Sequence, residues 1–101
     1  MPLLLFGARQ VGKTYVLREF GKTQYKNVAY INLETNLMFQ SYFSENIEPE
    51  RILRFLEVEV RERILPGETL IIFDEIQSCE RALTSLKYFN ELAPAYHIVC
   101  A

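Results

Sequence analysis

Two cysteines, one histidine and a single aspartate are all that 101 residues hold of those types, and nowhere do 18 apolar residues run together. Each shortage removes a class of protein. Cys79 and Cys100 stand far apart without metal-ligand company, which rules out a disulfide framework and a Cys/His zinc site. Two reduced thiols, packed as small hydrophobes in a cytoplasmic protein, are the expectation. His97, beside Tyr96 on an apolar stretch, is expected to pack there rather than to ligate a metal. The lack of long apolar runs excludes a membrane-spanning helix, and the opening Met1-Pro2-Leu3-Leu4-Leu5-Phe6 has no positive n-region of a signal peptide. Charge offers no footprint for nucleic acid either, since 11 basic residues against 13 acidic ones are spread along the chain for a net charge of -2. Internal repeats, linkers and low-complexity tracts are missing too. One domain, residues 1–101, is left, and its 50% hydrophobic content suffices for a core.

What is present is an alternation of strand-like and helix-like runs, the pattern of an α/β domain on a parallel sheet. Leu3 to Phe6 reads as a buried strand. Lys13 to Phe20 should be helical, with Val16, Leu17 and Phe20 on one face and Gly21 as its stop. Val28 to Leu33 is the second strand, and the connection from Glu34 to Glu48 carries one short helix around Leu37 to Tyr42. Pro49 suits a helix first turn, after which Ile52, Leu53, Leu56, Val60 and Ile64 recur at helical spacing until Pro66-Gly67 breaks the run. Glu50/Arg54, Glu57/Arg61 and Glu59/Arg63 place Glu four residues before Arg, as on a solvated helix face. Leu70 to Phe73 is a continuous apolar strand of the kind buried on both faces. Ala82, Leu83, Leu86, Phe89 and Ala93 mark a further helix stopped by Pro94, and Tyr96 to Cys100 is the fourth strand.

Gly7-Ala8-Arg9-Gln10-Val11-Gly12-Lys13-Thr14 meets every fixed position of G-x-x-x-x-G-K-[ST], between the first strand and the first helix. A glycine-rich turn there lets successive backbone N–H groups converge on an anion at a helix N-terminus. ATP is the expected ligand. The eight residues cradle its phosphates, Lys13 reaches the β- and γ-phosphates, and the Thr14 hydroxyl ligates Mg²⁺. Arg9 and Gln10 are expected to shape or cover the loop rather than to do chemistry. A second Gly-Lys-Thr, at Gly21-Lys22-Thr23, would need its other glycine where Val16 stands and reads as a helix end.

Asp74, the sole aspartate, follows four large hydrophobes. A carboxylate at a buried strand end needs a metal ion or a tight hydrogen-bond partner. Ligands bind outside the carboxyl ends of parallel strands, so Asp74 should share a crevice with the glycine loop and hold Mg²⁺ directly or through a water. Glu75 is the candidate general base for the water that attacks the γ-phosphate. Gln77 is a candidate contact to that water or phosphate, and Arg81 a candidate phosphate-sensing or interface arginine; the plainer readings are an exposed loop residue and a helix-surface charge. With the one aspartate committed, the Asn-Lys-x-Asp signature of guanine recognition is impossible, and residue 77 is Gln where Asp-x-x-Gly needs glycine. The pair Asp74-Glu75 points to ATP hydrolysis rather than to a GTPase.

Together with the glycine loop, Tyr30-Ile31-Asn32-Leu33-Glu34, Leu70-Ile71-Ile72-Phe73-Asp74-Glu75-Ile76-Gln77 and Ser85-Leu86-Lys87-Tyr88-Phe89 make the chain resemble the AAA-type ATPase domain of bacterial and archaeal proteins that carry a C-terminal nuclease-like domain of uncharacterised function. The resemblance implies a three-layer P-loop core whose parallel strands run in the order first, fourth, third, second. It also implies a leading segment before the first strand and, after the fourth, a sensor residue, a fifth strand and a helical lid, so the chain is expected to be a truncated core. An exposed first strand and feeble turnover would follow from that. The expected activity is Mg²⁺-dependent ATP hydrolysis, with a protein partner or oligomer possible. The alternative is a non-catalytic nucleotide-gated interaction module or an inert remnant of such an ATPase.

Overall fold

Alternation along the strands decides which layer each side chain joins. The computed structural model describes residues 2–4 and 11–101, with side chains from residue 13 onward. In chain order the elements are β1 (Pro2–Leu4), α1 (Val11–Gln24), β2 (Asn27–Asn32), α2 (Leu37–Glu45), α3 (Pro49–Val60), β3 (Thr69–Asp74), a 3₁₀ turn (Ile76–Ser78), α4 (Glu80–Leu92) and β4 (His97–Cys100). Every residue of β3 is buried, as a central strand covered on both faces must be. Its even-numbered Leu70 and Ile72 join Val99 of β4 and Leu17 of α1 in one cluster. Its odd-numbered Ile71 and Phe73 join Ala29, Ile31, Ile98 and Cys100 beneath α2, α3 and α4. The domain therefore has three layers, with α1 the helix on one face of the sheet among the described residues.

The strands run in the order β1-β4-β3-β2, all pairs parallel, which is the expected order. The register sets Tyr30 beside Ile72, Asn32 beside Asp74 and Phe73 beside Cys100. All four strands consequently end on the same side of the molecule, where Asp74 closes β3. Aromatic rings fill the layer under α2 and α4: Phe73 meets Phe43 edge-on at 5.7 Å and Phe89 at 6.4 Å. Tyr42 of α2 stacks on Phe55 of α3 at 4.0 Å. Among the described residues β1 pairs only with β4, and β2 only with β3.

Two helices end elsewhere than the sequence pattern predicts. Gly21 does not stop α1, which continues to Gln24. A methyl group at residue 21 would collide with Val28 Cγ2 and lie 3.1 Å from Leu70 Cδ2, so the glycine is there to let the helix lie close on the sheet. Leu17 alone of the predicted face is buried, while Val16 is 62% and Phe20 49% exposed. α3 stops at Val60, six residues before Pro66, because Arg61 turns into the left-handed region at φ 58° and ψ 40°. Arg61 and Arg63 thus leave the helix, and their predicted partners serve other groups. Glu57 Oε2 accepts from Ile64 N at 2.8 Å, and Glu59 Oε2 accepts from Asn36 Nδ2 at 3.0 Å. Pro66-Gly67 forms a separate turn, with Gly67 at φ 73° and Glu68 N donating to Leu65 O.

Candidate functional site

Burial of Asp74 creates the need that organises this end of the sheet. The residue is 6% exposed, and a carboxylate so placed must be met by donors. Thr14 Oγ1 donates to Oδ2 at 2.9 Å, Tyr30 OH donates to the same oxygen at 2.5 Å, and the Glu75 amide donates to Oδ1 at 2.9 Å. Thr14 lies in the first turns of α1, on the same helix as the last residues of the glycine-loop motif. Sixty positions of sequence thus separate the two halves that touch here. Val11 and Gly12 open α1 and Lys13 follows them, half-buried; Gly7, Ala8, Arg9 and Gln10 lie outside the described residues.

Glu75 follows with φ 54° and ψ 44°, a left-handed conformation that costs a residue with a side chain about 1–3 kcal/mol. Backbone ties on both sides hold it there. Ala101 N donates to Phe73 O and Ile76 N donates to Ala101 O, each at 3.0 Å, so the extension of β4 clamps the chain before and after the glutamate. Gln77 Nε2 donates to Glu75 Oε2 at 2.9 Å. Gln77 therefore touches the candidate base itself. Arg81 sends its Nε to the Phe43 carbonyl at 3.3 Å, tying α4 to α2. His97 stands at the opposite end of the sheet, where its Nδ1 is 2.7 Å from Tyr25 OH and the rings meet edge-on.

Tyr30 and Arg18 are the participants that the sequence pattern does not announce. A tyrosine within Val28-Ala29-Tyr30-Ile31 reads as one more core residue of a strand. The usable signal was parity combined with register: residue 30 shares the α1 side of the sheet with residues 70 and 72. Arg18, one helical turn after Thr14, faces the same way, and its guanidinium carbon sits 3.9 Å above the centre of the Tyr30 ring. Burial, then the hydrogen bond and charge of Asp74, push the Tyr30 phenol up to about 12, so it is a proton donor throughout the neutral range. Asn32, beside Asp74 in the sheet, ends β2 by accepting from Glu34 N at 2.9 Å and Thr35 N at 3.1 Å. Arg18, Tyr30, Asn32, Asn36 and Glu59 also line a polar cleft of about 330 Å³ at the outer edge of β2.

A protein-family model described as an AAA domain matches residues 1–101. Comparison with curated proteins and with solved structures found no match. No helix among the described residues is long and apolar enough to cross a membrane.

Proposed function

The chain belongs to the AAA-domain family, whose members are ATPase-like and nucleotide-binding, and from that premise we propose that it binds ATP with Mg²⁺ and hydrolyses the terminal phosphate. The observation that carries this reading is the hydrogen bond from Thr14 Oγ1 to Asp74 Oδ2. It joins the end of the glycine-loop motif to a buried carboxylate that nothing local in the chain would place there. The donor set suits the cation. Thr14 Oγ1 and Asp74 Oδ2, in contact at 2.9 Å, bring two oxygens to one place. Mg²⁺ is the ion commonly held by one or two protein oxygens together with substrate phosphates.

In this mechanism the motif residues Gly7, Ala8, Arg9, Gln10, Val11 and Gly12 would supply backbone N–H groups to the phosphates, and Lys13 would bring its ammonium to the β- and γ-phosphates. Thr14 and Asp74 would hold the cation, which would supply positive charge to offset that of the phosphate oxygens. Glu75 accepts the proton of the water whose oxygen bonds to the γ-phosphorus, while the bond from that phosphorus to the β–γ bridging oxygen breaks and ADP leaves. Gln77, by donating to Glu75 Oε2, orients the carboxylate. This one-domain core acts in the cytoplasm, contacts no nucleic acid by itself, and passes the effect of turnover to a protein partner or a second copy.

Steady-state turnover measured beside ATP-binding calorimetry tests the reading. Glu75→Gln should cut turnover by on the order of 10²-fold or more and leave ATP affinity within a factor of about two. Binding without turnover in the unaltered chain, indifferent to that substitution, would convert the proposal into a nucleotide-gated interaction module.

A further inference from the structure

Asp74 Oδ2 accepts two hydroxyls at once, and only one of them belongs to the glycine-loop motif. The other comes from β2, the strand that runs beside Asp74 and carries Asn32 next to it. We propose that Tyr30 is a positioning residue for the divalent cation: its hydroxyl fixes the Asp74 carboxylate so that the cation meets a ligand already oriented. The inference rests on the reading of Asp74 as a metal ligand.

Three features give the tyrosine this part. A carboxylate on one Cβ turns about its own axis unless its oxygens are held at separate points. The Glu75 amide holds Oδ1 and moves only with the backbone, which the Ala101 bonds fix. Thr14 holds Oδ2 but has its own oxygen to offer the cation, so its contact cannot serve the carboxylate alone. The Tyr30 hydroxyl, which the neighbouring Asn32 side chain also meets, is not one of the proposed cation ligands, and its ring is fixed in turn by the register of β2 on β3 and by the Arg18 guanidinium above its face. Partners of metal-ligating groups that sit one step out from the metal are worth about 10–100-fold in metal affinity.

The experiment compares the unaltered chain with Tyr30→Phe and Asp74→Asn. For each, ADP affinity is measured by calorimetry in excess chelator and again across a Mg²⁺ titration, and Mn²⁺ affinity of the nucleotide-loaded protein is read by electron paramagnetic resonance. Phenylalanine keeps the ring and its contact with Arg18. Tyr30→Phe should leave chelator-state ADP affinity within about twofold and weaken Mn²⁺ and Mg²⁺ binding by about tenfold or more. A merely structural role would lower melting temperature and leave metal affinity of the folded fraction unmoved, which overturns the proposal. So does tighter metal binding in the variant. If Asp74→Asn loses the metal effect while Tyr30→Phe keeps it, the positioning role alone falls. If the unaltered chain shows no metal effect on nucleotide binding, the metal-ligand reading falls and the positioning role with it. Should the phenylalanine chain not fold, the native sequence labelled with 3-fluorotyrosine decides: one fluorine signal must shift when Mg²⁺ joins the ADP-loaded protein, and no shift overturns the proposal.

Discussion

At Gly21 the missing side chain is itself the contact between α1 and the sheet, and the position needs none of glycine's unusual torsion angles. Gly21→Ala should therefore destabilise the fold. Overpacking costs about 1–3 kcal/mol, and alanine's better helix propensity returns up to about 1 kcal/mol. A net loss of about 1–2 kcal/mol should appear in urea unfolding, since Val28 is β-branched and has little rotamer freedom with which to yield. Cys100 makes a second prediction at this scale. Burial pushes its thiol from the ordinary 9.0 up to about 12, so the folded state holds the proton more tightly than the unfolded chain does. That contribution to stability is complete below pH 9 and is lost as pH rises toward 12. Cys100→Ala should remove its share of the alkaline decline, and alkylation of the native protein near pH 8 should leave Cys100 unmodified by mass spectrometry until denaturant is added.

Among the elements, α2 depends on partners outside itself. Asn36 Oδ1 caps its start by accepting from Phe39 N at 2.9 Å. Arg51, from α3, covers its end by donating to the carbonyls of Tyr42 and Asn46 at 2.7 and 2.8 Å. Asn36→Ala should cost about 1 kcal/mol in chemical denaturation, and Asn36→Ser should recover most of it, because serine keeps the cap. These ties explain what could and could not be read along the chain. Strands β3 and β4 and the glycine loop announce themselves through local composition, and α/β topology then brings Thr14 toward Asp74. The left-handed turn at Arg61 has no glycine to mark it, so apolar spacing alone carries α3 too far. Tyr30 was illegible for a different reason: its importance comes from the pairing of β2 with β3, a relation between strands that neither strand states by itself.

For the molecule as a whole, the proposed ligand should act as a brace. At about one hundred times its dissociation constant, Mg-ATP should add roughly 2.7 kcal/mol of stability. In a domain of this size that is a rise of roughly ten degrees or more in melting temperature by calorimetry. Lys13→Ala should abolish the rise, since the ammonium is proposed to meet the phosphates and Lys13 is not among the residues of either buried core cluster.

The strand order carries one further consequence. Because β4 is inserted between β1 and β3, β1 can acquire its neighbour only after the fourth strand has also been synthesised. Until then an apolar ribbon waits with its backbone groups uncovered, open to capture by strangers. Docking of β1 is thus a late event in the assembly of this sheet, and until it happens the strand needs shelter from other chains.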